Sequence, residues 1–142
     1  MSTLWRNTGP LWDNDQFMAA THRRTLVSFD IDGTLEMGDP PGPLSAAFVR
    51  RTQQRGHLIG SCSDRTIREQ SAMWLAADIV PDFVVVKNQL DSVRERFVTE
   101  RLVHIGDTDV DAYFAKLAGF EFIFVLDLAD RLGSPGSLED LA

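Results

Sequence analysis

The sequence predicts an α/β fold, a doubly wound, Rossmann-like parallel sheet of five strands with helices on both faces. Three observations carry this. Short runs rich in β-branched and aromatic residues recur from residue 25 onward, stretches of helical periodicity separate them, and those stretches open and close on capping residues.

Taken in order, residues 1–22 show no sustained period, carry Asn, Asp, Gly and Pro, and include Trp5 and Trp12. They read as an irregular arm ahead of a single domain spanning 23–142. Its indoles either pack on the domain's flank or serve as a dimer contact or lid. The first strand is TLVSFD (25–30), followed by the helix LSAAFVRRTQQR (44–55) closed by Gly56. HLIGSC (57–62) is the second strand, and TIREQSAMWLA (66–76) is a helix opened by a Thr66–Glu69 capping box. The third strand is FVVV (83–86), then a helix in NQLDSVRERF (88–97). RLVHIG (101–106) and FEFIFV (120–125) are the last strands, flanking a helix DVDAYFAKLA (109–118) ended by Gly119. After Asp127 the segment GSPGS signals a loop and SLEDLA one helical turn.

With 142 residues and 44% hydrophobic content, the chain holds one compact core and no internal repeats. A formal net charge of -7 supplies no basic field, which disfavours nucleic acid as a partner. Cys62 is the single cysteine, so no intrachain disulfide forms and a reducing interior is the default. No apolar run approaches the roughly 20 residues of a membrane span, and the N-terminus has no signal-peptide core. A soluble, cytoplasmic protein is expected.

In a doubly wound sheet the ligand crevice lies beyond the carboxyl ends of the strands. Asp30, Ser63, Lys87 and Asp107 all fall at such ends. In FDIDGTL (29–35), Asp30 and Asp32 sit two residues apart before Gly33, where the chain turns. Two carboxylates at a crowded turn are costly unless something positive neutralises them. A hard divalent cation such as Mg²⁺, which prefers oxygen ligands, answers that need. GDTDVD (106–111) adds oxygen ligands one strand away: Gly106 permits close approach, Asp107 is placed to ligate metal, and Asp111 lies one helical turn on, on the same face. Singly, these pieces have plain structural readings, an Asp-Gly turn at 32–34 and an N-cap at 107–108. Together they require several coincidences.

Of the 14 basic residues only Lys87 and Lys116 are lysines. Lys116 lies mid-helix and reads as solvated. Lys87 ends an apolar run, either as a snorkelling side chain or as a compact charge for an active-site carboxylate and phosphoryl oxygens; its place on the acidic edge favours the second. His104, inside an apolar strand, reads as a satisfied core histidine, Cys62 as strand filler, Trp74 as core, and His22 and His57 as loop residues.

FDIDGTL, SDR, Lys87 and GDTDVD, in this order on this framework, resemble the haloacid dehalogenase-like superfamily and within it the phosphatase branch, over about residues 24–126. The resemblance implies that Asp30 is a nucleophile forming an aspartyl-phosphate and that Asp32 is the general acid and base. It implies Mg²⁺ held by the carboxylates of Asp30 and Asp107 and the backbone carbonyl of Asp32, stabilising charge in transfer. Ser63 corresponds to the second motif's hydroxyl, with Ser61 as the alternative. Lys87 matches the third motif without the proline that often follows. Asp111 would position Lys87 or a metal-bound water. Gly33, Thr34 and Arg65 are candidate substrate contacts, Arg65 alternatively a solvated arginine at a helix start.

Neither gap between these motifs holds a cap domain, which implies an open site and a bulky or macromolecular phosphorylated substrate, or a site closed by the arm or by a second copy. The resulting expectation is a Mg²⁺-dependent phosphomonoester hydrolase. A phosphotransferase through the same intermediate, a non-catalytic phosphate-binding or interaction module, and a receiver-like phosphoacceptor are the competitors. FVVVK lacks the aspartate a receiver carries on its third strand, which favours the hydrolase.

Overall fold

The computed structural model describes residues 24–131. The predicted arm with Trp5, Trp12 and His22, and the tail segments GSPGS and SLEDLA, lie outside the described residues.

The strands are β1 (Thr25–Phe29), β2 (Leu58–Ser63), β3 (Phe83–Val86), β4 (Arg101–Gly106) and β5 (Glu121–Phe124). They form one five-stranded sheet of order β3-β2-β1-β4-β5, every pairing parallel. Between them run α1 (Ala46–Gln54), α2 (Ile67–Ala76), α3 (Leu90–Arg96), α4 (Asp109–Ala118) and, after β5, α5 (Val125–Arg131). This is the α/β, Rossmann-like architecture expected, and the described residues carry no additional domain.

Parallel strands need helical crossovers, and these cover the sheet on both faces. On one face Val27, Phe29 and Ile31 pack with Phe48 and Val49 of α1, Trp74 of α2 and Val125 and Leu128 of α5. On the other, Leu26, Leu58 and Cys62 pack with Leu90 and Val93 of α3 and Ala115 and Ala118 of α4. Successive strand residues point to opposite faces, so Leu26, Ser28 and Asp30 share the side of α3 and α4. At the sheet's centre the chain runs from β1 outward through β2 and β3, then returns to β4 on β1's other flank. That reversal opens a crevice between the carboxyl ends of β1 and β4.

Capping fixes the helix starts. Thr66 Oγ1 accepts from the Glu69 N–H at 3.1 Å while Glu69 Oε1 accepts from the Thr66 N–H at 3.1 Å, completing the expected box. Asp111 plays the same part for α4: the Asp111 N–H donates to Thr108 Oγ1 at 3.2 Å and Asp111 Oδ2 accepts from the Thr108 N–H at 3.2 Å.

Of the boundaries that differ from the sequence reading, three bear on the site or the core. β2 begins at Leu58 and includes Ser63, because His57 turns aside and its Nδ1 accepts the Thr25 N–H at 3.0 Å. A 3-10 turn over Lys87–Gln89 precedes α3, so Lys87 stands at the turn itself. The run FEFIFV yields only a four-residue edge strand, and Val125 opens a helix instead. Val125 and Leu128, one helical turn apart, are both buried in the core, and that gain decides against a longer strand. Among the described residues no helix is long and apolar enough to cross a membrane.

Candidate functional site

Asp30 follows the last residue of β1, Ser63 ends β2, Lys87 follows β3 and Asp107 follows β4. With Asp32 they line one cleft of about 190 Å³, whose wall Pro40, Asp64 and Thr108 complete. The cleft stands at the crevice between β1 and β4.

The loop after β1 is folded tightly enough to hold its aspartates still. The N–H groups of Thr34 and Leu35 both donate to the Ile31 carbonyl, at 3.1 and 2.9 Å, and the Gly33 N–H donates to the Pro40 carbonyl at 2.7 Å. Gly33 has φ +76, and a Cβ there would collide with Asp107 Oδ2, so this position needs glycine for both its conformation and its neighbour. Asp32 Oδ1 accepts the Asp39 N–H at 2.8 Å, and both Asp32 oxygens lie 3.0 Å from Arg65 Nε. Arg65 thus joins the site through Asp32 and is not part of the cleft wall. The Thr34 side chain is fully buried, away from the cleft lining, and its Oγ1 has no hydrogen-bond partner among the described residues.

The two serines divide cleanly. Ser61 faces the core, where Oγ donates to Gln70 Oε1 at 2.6 Å and accepts from Trp74 Nε1 at 2.8 Å. Ser63 lines the cleft, its Oγ accepting only the Arg65 N–H at 3.1 Å among the described residues. Trp74 and Cys62 are buried core residues, as read from the sequence.

Asp111 is completely buried and heavily engaged. Oδ2 accepts from the Asp107 N–H, the Thr108 N–H and Thr108 Oγ1 at 3.1, 3.2 and 3.0 Å. Oδ1 faces Lys87 Nζ at 2.9 Å, an ion pair whose direction is not that of a hydrogen bond. Lys87 Nζ also reaches the exposed Asp64 at 3.3 Å. Gly106 makes room for this: a side chain there would run into the Asp111 carboxylate.

Charges set the site's electrostatics. Burial, the nearby Asp111 charge and a hydrogen bond with Asp107 raise the Asp30 carboxyl from 3.8 to about 8, against the opposing pull of Lys87. Burial would also raise Asp111, but the nearby His104 and the ion pair with Lys87 outweigh it and hold that carboxyl well below the usual carboxylate range. Burial pulls Lys87 down, and Asp111, Asp30 and Asp64 together more than reverse that, holding its ammonium above the ordinary lysine value. Cys62 is pushed up to about 12 by burial and by Asp30 and Asp111, which makes it an inert thiol.

One carboxylate oxygen each from Asp30, Asp107 and Asp111 lie within 4.8 Å of one another, so the three can hold a metal ion. When ionised, Asp30, Asp32, Asp64, Asp107 and Asp111 face two cations, Lys87 and Arg65, leaving an excess of three negative charges. A divalent cation would offset most of that excess, and the raised Asp30 carboxyl is the mark of a buried acid without enough positive charge beside it.

What the fold and the site define is a parallel α/β protein with a buried aspartate cluster at the switch point of its sheet. Compared with known proteins, the chain matches no family model and no curated protein.

Proposed function

We propose that this chain is a Mg²⁺-dependent phosphomonoester hydrolase of the haloacid dehalogenase-like superfamily, in its capless phosphatase branch, working through an aspartyl-phosphate on Asp30. The observation that carries the reading is the meeting of Asp30, Asp32, Ser63, Lys87 and Asp107 in one cleft.

Mg²⁺ would be held by the carboxylates of Asp30 and Asp107 and the backbone carbonyl of Asp32, where it neutralises charge on the acids and the phosphoryl group. In the first half-reaction an Asp30 oxygen attacks phosphorus, the bond from phosphorus to the leaving oxygen breaks, and Asp32 delivers a proton to that oxygen. In the second, the Asp32 carboxylate takes a proton from water as the water oxygen attacks phosphorus. The bond to Asp30 then breaks and orthophosphate leaves. Lys87 and the Ser63 hydroxyl bind the non-bridging phosphoryl oxygens, and Arg65 fixes the orientation of Asp32 through their 3.0 Å contact. Among the described residues no insertion closes over the cleft, which suits a bulky or macromolecular phosphomonoester.

The test is release of inorganic phosphate from a broad phosphomonoester panel, with and without Mg²⁺, beside Asp30→Asn. Metal-dependent release that the substitution abolishes is expected. A folded, Mg²⁺-binding protein that releases phosphate from no compound in the panel, phosphoproteins included, overturns the hydrolase.

A further inference from the structure

One buried polar residue beneath the site takes no part in this chemistry. His104 is opposite Ser28 in the β1–β4 register, and both side chains are fully buried on the face shared with Asp30. His104 Nδ1 is 2.9 Å from Ser28 Oγ. Its other nitrogen, Nε2, lies 4.0 Å from Asp111 Oδ1, the same oxygen that faces Lys87 Nζ at 2.9 Å. When the Ser28 hydroxyl donates to Nδ1, a ring proton is left on Nε2, directed at Asp111.

Asp111 Oδ1 therefore has one cation in contact and a second donor about an ångström beyond hydrogen-bond range. Oδ2 is already saturated by its three donors, so no other group stands ready for Oδ1. Asp111 is completely buried, and a buried carboxylate stripped of its partner is strongly unfavourable. Lys87 lines the cleft as well, so a phosphoryl group bound there would compete with Asp111 for its ammonium.

We infer that His104 is a positioning residue, a reserve partner that closes on Asp111 when Lys87 turns toward a phosphoryl group in the cleft. The inference rests on the reading of Lys87 as the phosphate-binding cation. The Lys87–Asp111 contact then need not hold the lysine back, because the anion left behind is compensated at once. His104 acts through Asp111 and touches neither substrate nor metal.

A double-mutant cycle tests this without a substrate. Unfolding equilibria are measured in Mg²⁺ buffer for the natural sequence, Lys87→Met, and His104→Leu, His104→Gln and His104→Asn, each alone and combined with Lys87→Met. Glutamine places an amide nitrogen near the position of Nε2, asparagine near that of Nδ1. Lys87→Met should lower the folding constant at least tenfold more in the His104→Leu and His104→Asn backgrounds than with His104 or His104→Gln. Equal losses in all backgrounds overturn the inference.

To keep the test independent of the folding of the pair, the single Lys87→Met protein is also studied by proton–nitrogen NMR of the His104 ring. A downfield, slowly exchanging Nε2 proton is the expected sign of the new bond to Asp111; an unchanged resonance overturns it. Titration of the natural sequence with inorganic phosphate separates the two readings. Coupling in the cycle without phosphate binding sinks the phosphate reading alone, and phosphate binding without coupling sinks the reserve-partner role alone.

Discussion

Replacing Asp30 by asparagine should make the protein more stable in the absence of metal and deaf to metal when it is added. The Asp30 carboxyl moves from 3.8 to about 8 on folding without a cation, chiefly because it is buried beside Asp111. The folded chain thus holds this proton more tightly than the unfolded chain does. Stability from this group is intact below pH 3.8 and drains away as pH climbs to about 8. At about 1.4 kcal/mol per unit, the ionised group costs on the order of 5 kcal/mol above that window, part of which relaxation and water entry return. The Asp30→Asn protein keeps the side chain's size and has no proton to lose. In EDTA at pH 8 it should exceed the natural sequence by about 2–3 kcal/mol, roughly 10 °C in melting temperature, and the gap should shrink toward pH 5. Mg²⁺ at a hundred times its dissociation constant adds about 2.7 kcal/mol to the natural sequence and should add nothing to the variant, closing the gap between them. Thermal melts at both pH values, in EDTA and in Mg²⁺, give all four comparisons. A variant no more stable than the natural sequence at pH 8 in EDTA, or a gap that does not widen with pH, refutes the argument that Asp30 is a buried acid awaiting a cation.

The serine pair should separate fold from function. Ser61→Ala strands Gln70 and the Trp74 N–H in the core and is expected to cost about 1–3 kcal/mol in urea unfolding without loss of turnover per folded molecule, whereas Ser63→Ala should leave stability within about 0.5 kcal/mol and cut phosphate release at least tenfold. Gly33→Ala, forced to φ +76 with a methyl against Asp107, should lose the Mg²⁺-induced rise in melting temperature; an unchanged rise would show that Asp107 is not a ligand. Mg²⁺ and Mn²⁺ should stabilise the fold at lower concentration than Ca²⁺, and a preference for Ca²⁺ in the same melts would contradict a site with few protein oxygens.

Periodicity made the sheet legible because each strand is bounded by a helix with its own start or stop residue, such as Thr66, Thr108 and Gly119. The same logic brought Asp30, Ser63, Lys87 and Asp107 to one edge, since the carboxyl ends of parallel strands share it. What escaped the sequence was long-range pairing. Nothing local tells that Arg65 reaches 33 residues back to Asp32, or that Ser61 belongs to Gln70 and Trp74 while Ser63 faces the cleft. Alternation along SCS puts both serines on the same side of an ideal strand; Ser63 escapes because it is the strand's last residue, where the chain leaves for α2. The helix Val125–Arg131 was missed for a related reason. Its apolar spacing is carried by only two buried residues, too few to outweigh the β-rich run that precedes them.

Of the three aspartates that could hold an ion, Asp111 is the one whose bonding suits an anchor, which supports the proposal that Asp30 and Asp107 would be the ligands. Three donors fix Oδ2, and two of them, the Thr108 N–H and hydroxyl, also cap α4, so freeing that oxygen would fray the helix start that aims Asp107. Oδ1 is committed to Lys87, and a cation placed there would stand against an ammonium at 2.9 Å from the same oxygen. Asp30 and Asp107 have no such cationic partner among the described residues. An ion served by two carboxylates and a carbonyl keeps several waters, which is how Mg²⁺ prefers to bind. In the proposed site the repulsion between Asp30 and Asp111 acquires a use: it leaves Asp30 short of positive charge that a metal would supply, while Lys87, already neutralising Asp111, adds too little to satisfy both.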